Sequence, residues 1–358
     1  MKKLLKVGKK KKEKNMAEDE KSNSAESGKG LDVGTAFISC AQKIGSTIPC
    51  RIQRDAFFDM EYSEFTRGIL EKSDVKYILS NNKFYVIGDD AIKFANAFGR
   101  NLRRPMKSGV ISPQEEESLP VLEVIIKNVL GEPSEKKEVC YYSVPGAPVD
   151  ADFDVIFHQN IIKGFVEKLG YEPRPINEGL ATIFSELAED NFTGMGISFG
   201  GGMTNVCLAI MGVPVISFSV ARAGDWIDER AAKATNQPVS KITTFKETSF
   251  DLKKPEASMN KVEQALLIYY EHLIEYVLEQ IKKGFEKKAV LESGEPIIIV
   301  ISGGTANPPG FIEKFKAIFD RNDFPFKIRE IKLASYPLYA VARGALIAAI
   351  ADRRGQGS

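Results

Sequence analysis

Apolar and polar positions along the chain fall into two recurring patterns. Short alternating or continuous apolar runs end in glycine, and longer stretches place apolar residues every three or four positions. Residues 29–41 alternate as a strand, turn at Gly34 and Thr35, and resume as a strand. The same strand, tight turn and strand return at 195–210, where Gly200, Gly201 and Gly202 separate two apolar runs. Strand-like pieces follow the first hairpin at 48–52 and 84–87, and Asp89, Asp90 and Ala91 open a short helix. A basic connector covers 101–110. The spacing of Leu119, Val121, Leu122, Ile125, Ile126 and Val129 predicts a helix over 113–129. Then come a strand at 138–144, an amphipathic helix at 152–170 stopped by glycine, and a short strand entering a helix whose first turn carries Glu178.

Beyond the triple-glycine hairpin, 214–221 reads as a strand, Gly224 and Asp225 open a helix, and Lys246 and Glu247 fall on a helix over 239–251. A long helix is predicted over 259–285, with Val262, Ala265, Leu266, Tyr269, Leu273 and Val277 on one face. The continuous apolar run at 296–301 suits a strand covered on both faces. It breaks at Ser302, Gly303, Gly304 and Thr305, and the chain then leads through Pro308, Pro309 and Gly310 into a helix. A last small-residue helix runs through Ile350, where Ala342 and Gly344 permit close packing. The one coarse repeat is a strand, glycine turn and strand at the start of each half.

Composition changes this picture in three places. With 358 residues, the chain is long enough for two domains with a core each. Basic and acidic residues nearly cancel, at 49 against 48, so no global field points to nucleic acid. The charge is unevenly placed, however: residues 1–14 hold eight lysines, and 17–30 is polar and acidic, a composition suited to a disordered tail. That tail fits either a solvated segment or a contact with an anionic membrane surface. Its apolar stretch is too short for a secretory signal or a membrane span. The four cysteines lack metal-ligand spacing and read as reduced core residues of a cytosolic protein, and two histidines argue against a histidine metal site or triad.

Candidate chemistry centres on the turns. Glycines without Cβ atoms let backbone N–H groups approach an anion, and a glycine-rich hairpin fits either a phosphate nest or a plain turn. Asp32, ending a strand, needs partners once buried, and a magnesium ion's water shell and the turn amides are the candidates. Glu178 fits a helix N-terminal charge as well as a catalytic group.

In order, these stretches resemble the superfamily of actins, DnaK-type chaperones and sugar kinases, over nearly all the folded chain. The first phosphate loop is similar to Leu-Asp-Val-Gly-Thr-Ala at 31–36, and the second to Ser-Phe-Gly-Gly-Gly-Met-Thr at 198–204. The two connecting segments look like 177–181 and 342–345, and the adenosine loop like 301–306. Within the superfamily the chain is most similar to bacterial actins of the MreB and MamK type, on the motifs at 87–91, 104–111, 222–228 and 337–344. The resemblance implies an α/β fold of two actin-like, ribonuclease-H-like domains with a nucleotide cleft between them. Residues 1–29 would form the tail and 30–186 domain I, with a small outer subdomain at about 53–110. Residues 187–335 would form domain II, and 336–358 a helix returning to domain I.

The resemblance further implies ATP or ADP with Mg2+ in that cleft. Asp32 would orient the metal's waters; Gly34, Thr35 and Ala36 would bind phosphates from one side, and Gly200, Gly201, Gly202, Met203 and Thr204 from the other. Gly224, Lys246, Glu247, Gly303, Gly304 and Thr305 would surround the adenosine. Glu178 falls where bacterial actins position the attacking water. One departure stands out: Ser198 occupies the place of the second loop's usual aspartate, which implies slow or lost hydrolysis. The implied function is a cytoplasmic, ATP-binding cytoskeletal protein whose subunits stack head to tail, and the lysines of 1–14 leave open either a solvated tail or a contact with an anionic membrane; no specific nucleic-acid partner is expected. A non-polymerising nucleotide-binding adaptor at a membrane or organelle machine is the alternative. The chaperone and sugar-kinase readings lack, respectively, a peptide-binding domain and an identifiable substrate-side aspartate.

Overall fold

Two five-stranded sheets with one strand plan organise the chain. The computed structural model describes residues 28–100, 102–286 and 296–356. In the first lobe, β1 (Lys29–Val33), β2 (Phe37–Gln42) and β3 (Cys50–Arg54) form an antiparallel meander. Beyond it, β4 (Phe57–Glu61), α1 (Glu64–Lys72), β5 (Tyr77–Ser80), β6 (Lys83–Ile87) and α2 (Asp89–Phe98) build a small outer subdomain on a three-stranded sheet. A two-residue hairpin, β7 (Met106–Lys107) with β8 (Val110–Ile111), leads back to α3 (Leu119–Leu130). The lobe is completed by β9 (Val139–Val144), α4 (Ile156–Lys168), β10 (Glu172–Asn177) and α5 (Glu178–Glu186).

The second lobe repeats the plan. It opens with the meander β11 (Gly194–Phe199), β12 (Thr204–Ile210) and β13 (Val213–Val220), followed by α6 (Gly224–Thr235), α7 (Val239–Thr248) and α8 (Lys261–Glu286). Then come β14 (Ile297–Ser302), α9 (Phe311–Phe319), β15 (Ile328–Leu333) and α10 (Ala340–Gln356). Sheet orders are β3-β2-β1-β9-β10 and β13-β12-β11-β14-β15, each an antiparallel meander extended by two parallel strands. The central strands β11 and β14 are buried along their whole length, as expected where helices cover both faces.

Helix α10 returns to the first lobe. Ala342 and Leu346 pack against Ala41 of β2, and Val341, Ala345 and Ala348 pack with Ala181 of α5. The approach is close enough that a Cβ on Gly344 would lie 1.7 Å from the Ala181 carbonyl oxygen, and one on Gly30 would lie 2.0 Å from that of Ala342.

Several boundaries differ from the sequence reading. Lys29, assigned to the tail, is buried in β1, where its Nζ donates to the Leu130 and Glu132 carbonyls and to the Tyr171 hydroxyl. Residues 1–27, including the lysine-rich segment 1–14, lie outside the described residues. Helix α3 starts at Leu119, not near 113, because Pro120 has no N–H to donate and fits only a helix's first turn. In α8 it is Tyr270, not Tyr269, that is fully buried; Tyr269 packs edge-on against Trp226. The four thiols are free, with Cys50 half-buried and the others buried.

Candidate functional site

The turns β1–β2 and β11–β12 face each other across the space between the lobes. Each closes with one hydrogen bond, Gly34 N–H to the Phe37 carbonyl and Gly200 N–H to the Met203 carbonyl, both 3.0 Å. The turns touch: a Cβ on Gly202 would stand 2.3 Å from the Gly109 nitrogen and 2.5 Å from Thr35 Oγ1. Thr35 Oγ1 in turn accepts the Gly109 N–H at 3.1 Å. Any side chain at 202 would push the lobes apart, so glycine there follows from close approach.

Helix α5 brings the carboxylate. Asn177 caps it, accepting from Gly179 N–H (2.9 Å) and Leu180 N–H (3.2 Å). Gly179 lies against Gly196 and Cys207, with no room for a side chain on either glycine. This sets Glu178 over the second lobe's sheet, where Ser198 Oγ donates to Glu178 Oε2 at 3.3 Å. Glu178 and Asp32 are close enough to repel, and burial followed by the neighbouring Asp32 charge drives the Glu178 carboxyl well above its usual range. Burial raises Asp32 as well, against a 2.9 Å hydrogen bond from Ser143 Oγ. The expected turn amides do not serve Asp32; Val33 N–H donates instead to Ser143 Oγ, and Gly34 N–H closes the turn.

A cavity of about 490 Å³ runs from this floor between the lobes. Its wall includes Asp32, Gly34, Thr35, Ala36, Glu178, Gly200, Gly201, Lys246, Glu247, Gly303, Gly304 and Thr305. Four expected residues fall behind the wall. Met203 is buried against Gly109, and Thr204 is buried with its hydroxyl donating to the Arg222 carbonyl at 2.8 Å. Gly202 is occupied by the contact with the first lobe. Gly224 lies beneath, its N–H on the Gly200 carbonyl and its own carbonyl accepting from Lys246 Nζ at 3.0 Å. Gly303, at φ +95°, sits with its Cα against the Phe199 backbone, which only glycine permits.

The sequence reading gave no role to several residues at the site. Asp228 pairs with buried Lys246 at 2.8 Å and accepts from Thr243 Oγ1, so Lys246 is fixed from below. Asn205, opposite Ser198 in the β11–β12 pair, accepts the Gly146 N–H at 2.8 Å through Oδ1. Arg54 and Arg104 cross from the first lobe to Glu247 and Asp225 of the second. For Asp225 and Asp228 a signal existed, since both lie in the 222–228 motif; Ser143 and Arg54 had none. Among the described residues, no three His, Cys, Asp or Glu side chains converge into a metal cage.

The twofold-repeated sheet plan with a cleft between the lobes is the one expected of an actin-like fold. A family model described as Volactin matches residues 28–349. The chain belongs to the Volactin family. Solved structures agree on the fold at low identity. The MamK double helical filament is 17% identical, with a TM-score of 0.66, covering 90% of this chain and 98% of that one. MreB5 of Spiroplasma citri bound to ADP is 17% identical, with a TM-score of 0.64, covering 92% and 98%. The ethanolamine utilization protein EutJ from Carboxydothermus hydrogenoformans is 14% identical, with a TM-score of 0.53 and 89% coverage of each chain. No curated protein matches the chain by direct sequence comparison. The chain therefore has the actin-like two-domain ATPase fold.

Proposed function

We propose that this Volactin-family chain is a cytoplasmic cytoskeletal protein that binds ATP or ADP with magnesium between its lobes and stacks head to tail into filaments. The observation that carries the reading is the meeting of the two glycine turns over Asp32 and Glu178, at one end of a cavity large enough for a nucleotide. Support comes from MreB5, which holds ADP, and from MamK, which forms a double helical filament. Thr35, Gly34, Ala36, Gly200 and Gly201 would face the phosphates, and Lys246, Glu247, Gly303, Gly304 and Thr305 the nucleoside. The donor set suits magnesium: two carboxylates that burial makes costly to ionise, as expected where a hydrated cation carried on phosphates neutralises them. When bound, the ion would offset charge on the transferring phosphoryl group.

In this reading Glu178 accepts a proton from water and orients it, and Ser198 holds the carboxylate. Ser198 supplies no charge of its own, so turnover is slow. Head-to-tail contacts do not close on themselves and so propagate. Electron microscopy of the purified full chain with ATP and magnesium tests the whole: filaments that need nucleotide support it. Ser198 favours a second reading, a non-polymerising nucleotide-binding adaptor, for which calorimetry would record uptake while micrographs stay empty. Heat from neither nucleotide would end both. Among the described residues no helix is long and apolar enough to cross a membrane. The lysines of 1–14 supply the proposed contact with anionic lipid, and equal liposome sedimentation with and without that segment would remove it.

A further inference from the structure

Two arginines of the first lobe reach across the cleft, and each has one carboxylate on either side of it. Arg54, at the end of β3, is nearly buried and lies over the Phe37 ring, 4.3 Å from its centroid. It donates through Nη1 and Nη2 to the two oxygens of Glu247 on α7, at 3.2 and 2.7 Å, and through Nε to Asp89 of its own lobe at 3.1 Å. Arg104 donates through Nη1 to Asp225 on α6, at 2.7 Å. Its own-lobe carboxylate is Asp55, which is left out. Asp55 is fully buried, and both its oxygens lack a hydrogen-bond partner. Phe57 and Arg103 exchange backbone hydrogen bonds of 2.8 and 3.1 Å as an antiparallel bridge, which sets residue 104 beside residue 56, next to Asp55.

We propose that Arg104 is a two-position switch for the cleft, paired with Asp225 when the lobes are closed and with Asp55 when they part. The closed state leaves a buried carboxylate without a partner, an arrangement that costs free energy unless something offsets it. Burial accordingly pushes the Asp55 carboxyl well up, opposed by the Arg104 charge. The open state returns the arginine to Asp55 and gives up the Arg104–Asp225 pair and the bidentate Arg54–Glu247 pair, while Asp89 still serves Arg54. Asp55 also donates its N–H to the Ala36 carbonyl at 3.0 Å, so the switch is anchored to the first glycine turn. A cavity of about 360 Å³ between these groups is lined by Arg54, Arg104, Asp225, Glu247 and Trp226 and would widen on opening.

The inference rests on the nucleotide reading only for what the cleft holds; the switch itself has a nucleotide-free readout. Trp226 is the chain's single tryptophan and lines that second cavity, so acrylamide quenching reports its opening. Asp225→Asn should raise quenching and speed release of a fluorescent ATP analogue about tenfold, within the usual range of coupling between sites. Asp55→Asn, which removes the open-state partner, should move both measurements the other way. Arg104→Gln should open the cleft and make the Asp55→Asn change silent when the two are combined. If Asp55→Asn fails to fold, Asp225→Asn must still have no effect on quenching in the Arg104→Gln background. Quenching that moves the same way in both carboxylate variants, or stays unchanged, overturns the switch. Failure of every variant and of the unaltered chain to take up the analogue would instead overturn the nucleotide reading, leaving the quenching results to judge the switch.

Discussion

Replacing Gly344 by alanine should separate the two helices that join the lobes. A Cβ built there would lie 1.7 Å from the Ala181 oxygen, 2.5 Å from its carbonyl carbon and 2.9 Å from its Cα. These are backbone atoms of α5, which cannot swing aside as a side chain can. Since real Cβ contacts essentially never fall below 3.0 Å, α10 and α5 must part by at least 1.3 Å at this point. Overpacking of this kind costs about 1–3 kcal/mol, and a rigid backbone neighbour places the cost at the upper end. Alanine's helix propensity offsets about 1 kcal/mol of it. A net loss of about 2 kcal/mol is expected. Gly164 provides the control: it is exposed in α4, with nothing within 4 Å of a built Cβ, so Gly164→Ala should gain about 0.5–1 kcal/mol. Urea unfolding would show the two midpoints moving in opposite directions at similar slopes. Because α5 carries Glu178 at its first turn, Gly344→Ala should also weaken uptake of magnesium-ATP in calorimetry, while Gly164→Ala leaves it unchanged. Coincident midpoints for the two variants would refute the close-packing argument.

The remaining predictions concern single side chains. His158 is buried in α4, and burial lowers its pKa from an ordinary 6.5 to about 4. Below pH 6.5 the unfolded chain therefore binds a proton that the folded chain refuses, and stability should fall as pH drops toward 4, by up to about 3 kcal/mol from this group. His158→Leu should flatten that part of a denaturation-versus-pH series; an unchanged slope would count against it. Glu178→Ala should abolish whatever phosphate release the unaltered chain shows, measured in single-turnover assays with magnesium. Ser198→Asp should speed that release, yet lower the unfolding midpoint of the nucleotide-free chain, because it sets a second carboxylate against Glu178. Both effects are required: a faster rate with no apo-state cost would mean that residue 198 does not face Glu178.

The parts of the fold readable from sequence were those dictated by local physics. Gly34, Gly200 and Gly303 announce themselves because only glycine allows backbones to approach so closely, and β11 and β14 because strands covered on both faces are apolar throughout. The outer subdomain was harder. Residues 57–61 and 64–72 carry neither a clear alternation nor a long periodic face, and β4, α1 and β5 went unassigned. Site residues split the same way. Those in the glycine turns sit on short motifs. Partners such as Ser143, 111 residues from Asp32, or Glu247, 193 from Arg54, meet only through the sheet plan and lobe closure. Met203 and Thr204 look like loop residues in sequence, yet the turn that lifts Gly200 and Gly201 into the cavity tucks them behind it.

The site's parts depend on closure in a way that no single lobe could supply. Ser198 of β11 steadies a glutamate carried on α5, which is counted with the first lobe; Gly202 rests on Gly109 and Thr35; Arg104 and Arg54 hold Asp225 and Glu247. The Gly202 and arginine contacts cross the cleft, and each is short enough that an opening of an ångström or two would end it. Asp32 and Glu178, the two glycine turns and the arginine pairs therefore meet only where the lobes meet, whereas Lys246 and Thr305 are placed within the second lobe, by Asp228 and by the Gly200 carbonyl. A ligand that bridges the lobes would strengthen all of these contacts at once by mass action on the closed form. Closure would in turn bring the two lobes' outer surfaces into one fixed relation, the condition a head-to-tail contact needs. In this chain, then, the chemistry at Glu178 and the capacity to assemble would be two readouts of one lobe equilibrium, and a substitution such as Asp225→Asn should lower both together.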